Sequence, residues 1–164
     1  MIRNILRFLL TFCFVLSSGY FNCSMGSTIA CSGQASSSVI MGDNIISHTS
    51  YVLRNFNDNK TINIIGIKVY DAGGSVLCDF PNKKPFPATF SSSLSPHAST
   101  KINTLDMVSA GCLSVQSEGT LQTIITWSGK GESLNVLATP INLNTTDGET
   151  LFFGPILCTP VNPR

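Results

Sequence analysis

The sequence predicts an all-β fold, an antiparallel β-sandwich of immunoglobulin-like architecture with about seven to nine strands. First, runs of β-branched and aromatic residues alternate with clusters of Asn, Asp and Gly, most clearly from Tyr51 to Phe80. Second, such turn signals recur about every ten residues along the chain. Third, no window of about 11 residues shows the apolar stripe of an amphipathic helix.

Composition indicates one domain and argues against two classes of partner. The chain has 164 residues, of which 43% are apolar and only 12% are charged. Without Arg3 and Arg7, eight Lys and Arg residues remain against nine Asp and Glu residues. A surface so close to neutrality does not attract nucleic acid or an anionic membrane.

The N-terminus has the pattern of a secretory signal peptide, which we place at residues 1–26 with cleavage somewhere in 19–30. Arg3 and Arg7 precede the apolar run Phe8–Leu16, and small residues follow it. A membrane span needs roughly 20 apolar residues, about twice this run. The pattern predicts an exported bacterial protein, periplasmic or extracellular; a retained N-terminal anchor is the alternative.

The cysteines point to a disulfide framework. Cleavage before Cys31 leaves four of them, an even number that suits an oxidising compartment. Two bonds are favoured, Cys31–Cys158 across the ends of the domain and Cys78–Cys112 across a proline-rich loop, although the spacing leaves the other two pairings open. Ala30 before Cys31 resembles a degenerate lipobox, so a lipid anchor at Cys31 is the competing hypothesis.

The folded domain is expected to span residues 27–158. Residues 27–38 are small and polar without periodicity, which indicates an extended segment leading into the sheet. Strands are expected at Val39–Met41 and Ile45–Leu53, separated by a turn at Gly42–Asn44.

The next strand, Ile62–Tyr70, contains an irregularity. Ile62 and Ile64 alternate in one phase and Ile67 in the other, with Gly66 beside the change. A slip of one residue next to glycine favours a β-bulge, whereas a central strand buried on both faces is the alternative.

The rest of the chain has the pattern of short strands joined by loops and turns. Three prolines make 81–87 a loop, because proline removes donors from a ladder. Further strands are expected at Ser75–Phe80, Thr89–Leu94, Ser99–Leu105, Leu121–Trp127, Leu134–Leu143 and Thr150–Cys158, with a Gly-rich hairpin at 128–132, a turn at Asn144–Gly148, an ambiguous Met107–Val115 and a flexible tail at 159–164.

Three motifs carry a family resemblance. Leu53–Gly74 reads LRNFNDNKTINIIGIKVYDAGG, Leu94–Thr100 reads LSPHAST, and Ile124–Trp127 reads IITW. In this order they resemble an uncharacterised family of small exported bacterial β-sandwich proteins, over roughly Ile46–Leu143. The resemblance implies an envelope location and a sandwich fold, and it assigns no site.

Candidate metal ligands are few. His48 and His97, with Met41 and Met107, supply the soft donors that exported copper proteins use. No closely spaced His or Cys pair is present, so the ligands would have to converge from separate strands. The sequence therefore favours surface histidines, no cofactor and no metal, and leaves a periplasmic soft-metal protein using His48 and His97 as the alternative function.

Catalytic patterns are also lacking. No G-x-S-x-G nucleophile motif occurs, and cysteines in an exported chain are expected to be oxidised rather than nucleophilic. We therefore expect a protein that is not an enzyme, with a small secreted hydrolase as the less favoured alternative.

Aromatic residues are the remaining candidates for function. Phe152 and Phe153 are adjacent on one strand, so one of them should point away from the core and contact a partner. Trp127 either lies on such a contact surface or fills the core. The sequence thus predicts a non-enzymatic binding or structural module that contacts another envelope or surface protein.

Overall fold

The chain is built of antiparallel β-strands, which confirms the all-β class. In the computed structural model, residues 27–114, 120–128 and 134–161 are described. The expected signal peptide at 1–26, hairpin residues 129–132 and the tail from 162 onward lie outside these ranges. The sandwich and immunoglobulin-like descriptions remain predictions.

The described residues form eleven strands and one short helix. The strands are β1 (Ser27–Ile40), β2 (Asp43–Asn55), β3 (Ile62–Tyr70), β4 (Val76–Phe80), β5 (Ser93–Leu94), β6 (Ser99–Asn103), β7 (Thr120–Trp127), β8 (Leu134–Asn144), β9 (Thr150–Phe152), β10 (Ile156–Leu157) and β11 (Thr159–Pro160). The helix α1 (Thr104–Ser109) lies between β6 and β7.

Strand β1 joins two groups of strands. Its residues 27–34 pair with β7, which pairs in turn with β3, and β3 with β4. Its residues 35–40 pair with β2, which pairs with β8, and β8 with β9 and β10. The structure therefore corrects the expectation for 27–38. This segment is a continuous strand, and its small residues lie where the strand changes partners.

Glycine is required at the point where β1 passes over β2. A Cβ atom on Gly33 would run into the hydroxyl oxygen of Tyr51. The ring of Tyr51 is fully buried, and its oxygen accepts a hydrogen bond of 2.8 Å from Thr123 Oγ1 on β7. Burial raises the pKa of Tyr51 to about 12, so the hydroxyl stays neutral. This contact brings β2 against β7 across the core.

Threonine side chains replace the backbone pairing that is interrupted where β1 changes partners. The Gln34 N–H donates to Thr49 Oγ1 (2.9 Å), and the Thr49 N–H donates to Thr104 Oγ1 (3.1 Å). The Thr104 hydroxyl then donates to the Gln34 carbonyl oxygen (2.8 Å). Thr49 and Thr104 are fully buried, so these bonds satisfy groups that water does not reach.

Helix α1 was not expected, because Ser99–Leu105 was assigned as one strand. The strand ends at Asn103, where a capping box starts the helix. The Asp106 N–H donates to Asn103 Oδ1 (2.8 Å), and the Asn103 N–H donates to Asp106 Oδ2 (3.0 Å). The Asn-x-x-Asp spacing was the available signal for this helix start.

The β-bulge in β3 is confirmed. The register of β3 against β7 shifts between Ile64 and Gly66. Ile64 and Ile67 are both buried, whereas Ile65 between them is about half exposed. The extra residue returns the apolar side chains to the core after the break.

The described residues contain two disulfides, Cys31–Cys158 and Cys78–Cys112, the pairing that the sequence favours. Because the sulfur of Cys31 is bonded to Cys158, it is not free to carry a lipid, which overturns the lipid-anchor alternative. The tail is also corrected in part, since Thr159–Pro160 pairs with β1 and the Val161 N–H donates to the Thr28 carbonyl oxygen (2.8 Å).

We predict that Gly33→Ala destabilises the protein by about 1–3 kcal/mol, because the added methyl group overpacks the contact with Tyr51. Gly66→Ala is the matched control, since a Cβ there lies 3.6 Å from the Phe80 carbonyl oxygen, an ordinary contact. Urea unfolding of both variants measures the difference. Equal midpoints for Gly33→Ala and the parent protein would contradict the role given to Gly33.

Candidate functional site

The two histidines lie far apart along β2, with His48 near the middle of the strand and His97 beside its C-terminal end. His97 is in the connection between β5 and β6, next to Ala98, whose carbonyl oxygen accepts from the Asn55 N–H (3.0 Å). His48 lies seven residues before Asn55 on β2, a distance of about 23 Å at roughly 3.3 Å per residue. The two side chains are too far apart to share a metal ion. In the described ranges, no three His, Cys, Asp or Glu side chains form a metal-binding group.

Each histidine has a separate environment. His97 is exposed, and its Nε2 lies 3.5 Å from Asp58 Oδ1. His48 is half-buried, and its Nδ1 is buried with no hydrogen-bond partner among the described residues. Burial lowers the pKa of His48 below its ordinary value, the nearby Asp106 opposes this shift, and Lys101 adds to it. His48 is therefore held neutral by its surroundings.

Trp127 belongs to the core. Only 5% of its surface is exposed, and it ends β7 beside Ile125, which is fully buried. The structure thus corrects the expectation that Trp127 contacts a partner, and it favours the alternative of a core residue. The reason is that Trp127 lies on the same face of β7 as Leu121, Thr123 and Ile125, all of which are buried.

Phe152 and Phe153 are both exposed, at 71% and 49%. The sequence predicted that only one of the two would leave the core. Both do, because β9 pairs only with the far end of β8, beyond the buried part of that strand. Leu151 on the same strand is exposed as well.

A second set of exposed apolar side chains lies at the turn between β1 and β2. Val39, Ile40 and Met41 are all exposed, and Met41 is fully so. The turn consists of Met41 and Gly42, both with positive φ, and not of Gly42–Asn44 as expected. Two-residue turns of this kind favour Asn and Gly, so a methionine at this position is not selected by turn geometry.

Strand register places these two sets at the same end of the sheet. Ile46 of β2 pairs with Ser37 of β1 on one side and with Leu143 of β8 on the other, and Leu143 pairs with Thr150 of β9. The four strands β1, β2, β8 and β9 therefore lie side by side here. We call the six exposed side chains at this end the hairpin-end surface: Val39, Ile40, Met41, Leu151, Phe152 and Phe153.

A pocket of about 250 Å³ opens on one face of these four strands. Its apolar lining comes from Ile40, Met41, Ile45 and Leu151, and its charged lining from Asp43 and Glu149, with two asparagine side chains beside them. Asp43 and Ile45 share a face with Thr49, Tyr51 and Leu53 further along β2, because side chains alternate. The pocket thus continues the core-facing side of the sheet past the end of the core.

Several chemical properties follow from this arrangement. The pocket is smaller than the roughly 300–1,000 Å³ of most small-molecule sites, so its volume suits a single side chain. The two carboxylates and the apolar walls together suit a group with an apolar stem and a positive end. No lysine or arginine is among the described residues that line it.

The sequence indicates only part of this site. It predicts a partner contact at Phe152 and Phe153, whereas Val39–Met41 is expected to be a strand and Met41 is considered only as a possible metal donor. The signal that was missed is an apolar run placed directly against a turn glycine.

Comparisons of the chain with family models, curated proteins and solved structures found no match. The resemblance to a family of exported β-sandwich proteins therefore stays a prediction. No helix within the described part of the chain has the length and apolar character needed to cross a membrane.

We predict that the stability of the protein falls as the pH is lowered through 6.5, the ordinary pKa of histidine. Because the folded-state pKa of His48 lies below this value, the unfolded chain binds the proton first and gains stability relative to the fold. The contribution of His48 is present above pH 6.5 and is lost as the pH falls toward its folded pKa.

Urea unfolding at roughly pH 7.5 and 5.5 measures this dependence. In His48→Gln, which keeps a polar side chain of similar length without the titration, the difference between the two pH values should shrink. An unchanged difference in that variant would show that other groups cause the dependence.

Proposed function

We propose that this protein is an exported, non-enzymatic binding module that contacts another envelope or surface protein through the hairpin-end surface. The observation that carries the proposal is a set of six exposed large apolar side chains on neighbouring strands, of which Ile40, Met41 and Leu151 line one pocket. Grouped apolar exposure of this kind marks contact sites, whereas single exposed apolar residues are common on any surface.

The covalent framework supports the exported location. Two disulfides close the described domain, and disulfides persist in oxidising compartments such as the periplasm and the extracellular space. The N-terminal pattern of basic residues followed by an apolar run supports secretion by the same reasoning. Both agree with a bacterial envelope protein.

The core contacts support the predicted two-layer architecture. Tyr51 on β2 reaches Thr123 on β7, and these two strands belong to groups that only β1 connects in the sheet order. A buried contact between the two groups is what packed β-sheets require. An immunoglobulin-like sandwich is therefore our proposal for the fold that presents the surface.

The proposal is tested by photo-crosslinking in the cells that export the protein. A photoreactive phenylalanine analogue replaces Met41 in one variant and Phe152 in another. The control places it at Phe56, which is 54% exposed and directly follows Asn55 at the opposite end of β2.

We expect a crosslinked adduct of the same larger mass from positions 41 and 152, and none from position 56. Equal export and intact disulfides in all three variants establish that the fold is unchanged. Adducts that form equally from position 56, or that form from no position, would contradict a partner-binding role for the hairpin-end surface.

A further inference from the structure

We propose that the hairpin-end surface binds an extended segment of its partner, which adds as a strand to the free edge of β1 and places lysine or arginine side chains over the pocket. This inference rests on the proposed function and names the chemistry of the partner. Three observations support it: an edge of β1 that no described strand covers, the charge of the pocket, and the size of the pocket.

Among the described residues, the second half of β1 is paired with a strand on one side only. Residues 35–40 pair with β2 on one side, whereas β7 and β11 pair only with residues 27–34. No described strand covers the other side of residues 35–40. The edge therefore offers backbone groups to an incoming strand.

The register shows which backbone groups are free. Ile40 and Asp43 flank the two-residue turn, so they form a hydrogen-bonded pair. Partners alternate along an antiparallel strand, so Ser38 also bonds to β2, while Ser37 and Val39 direct their N–H and carbonyl groups outward. An added strand would bond to Ser37 and Val39.

This edge lacks the features that usually prevent strand addition. Exposed edges are commonly protected by lysine, proline, a bulge or an inward-pointing charge. Residues 36–40 read Ser-Ser-Ser-Val-Ile, and their pairing with β2 runs without a register shift. The edge is thus regular, uncharged and able to accept a strand.

The pocket determines which side chains suit the added strand. Asp43 and Glu149 line it, and neither makes an ion pair with any described residue. The stem of a lysine or arginine packs against apolar walls such as Ile40 and Leu151, and its charged end is then near the carboxylates. A second copy of this chain is disfavoured as the occupant of the pocket, because the same end of that copy carries Asp43 and Glu149 and has no lysine or arginine among its described pocket residues.

The opposite face of the edge favours apolar residues at the alternate positions. Val39 points to the other side of the sheet from Ile40, because side chains alternate along a strand. In an added strand, every second side chain lies on the same face as Val39, so one of them would cover it. The fitting segment therefore alternates apolar and basic residues.

The experiment uses the exported, disulfide-bonded protein and short labelled peptides in fluorescence anisotropy. The probe is an acetylated and amidated repeat of Val-Lys, and the controls are the matching repeats of Val-Glu and Ser-Lys. We expect the Val-Lys peptide to bind about tenfold or more tightly than either control, the effect of one charge-assisted hydrogen bond or of buried apolar contacts.

Two sets of protein variants locate the binding. Asp43→Asn combined with Glu149→Gln keeps the shape of the pocket and should weaken Val-Lys binding about tenfold. Val39→Pro removes one outward donor while its pairing side toward β2 is unaffected, and it should weaken binding about fivefold. Phe56→Ser is the control and should leave the affinity unchanged.

Urea unfolding of each variant shows whether the fold is kept, and the isosteric pocket variant tests the inference even if Val39→Pro fails to fold. Equal binding of Val-Lys and Val-Glu peptides, no binding, or an unaffected pocket variant would overturn the inference. Dimerisation of the protein alone through Val39, detected by sedimentation and abolished by Val39→Lys, would also overturn it. If crosslinks form at Met41 and Phe152 while these peptides fail, the proposed function stands and only this inference falls.

Discussion

The crossing of β1 over β2 is the constraint on which the other features depend. Gly33 has no side chain because the Tyr51 hydroxyl occupies that space, and the same hydroxyl is fixed by Thr123 on β7. At the next residue, Gln34, the backbone N–H and carbonyl oxygen form hydrogen bonds with the side chains of Thr49 and Thr104. A single strand can therefore serve two groups of strands without leaving buried polar groups unpaired. The second half of β1 reaches the hairpin-end surface only because this crossing is possible.

Much of the β-structure followed from local patterns in the sequence. The bulge beside Gly66 was predictable because the alternation of apolar side chains shifts by one residue there. The disulfide pairing was predictable because Cys31 and Cys158 lie at the two ends of the domain. Strand β1 was not recognised as a strand, because small residues at a crossing give no periodicity. Its identity as a strand depends on partners about a hundred residues away in sequence, such as Trp127 opposite Ser27. The helix start had a local signal in the capping pair Asn103 and Asp106. A helix of six residues is too short to add the apolar stripe that identifies longer helices.

The candidate site was predictable only where exposure follows from a single strand. Phe152 and Phe153 attracted attention because adjacent residues on a strand face opposite ways. The pocket had no such signal, since its walls come from β1, β2, β8 and β9 and only the register brings Ile40, Asp43 and Leu151 to one face. The histidines and Trp127 were the conspicuous residues in the sequence. In the structure the two histidines lie far apart, and Trp127 is buried. Residue types associated with catalysis or metal binding therefore did not indicate the candidate site, whereas the positions of apolar residues next to turns did.

The bond between Cys31 and Cys158 has a consequence for the order in which the molecule is completed. The two cysteines lie 127 residues apart in sequence, so in a chain that is synthesised from its N-terminus the first is present long before the second. Strand β1 must therefore wait for β7 and β11 before its first half is paired, whereas its hairpin with β2 forms from neighbouring residues. Until then the first half of β1 lacks the two strands with which it pairs. Formation of the Cys31–Cys158 bond therefore requires that the chain has been completed at least as far as Cys158.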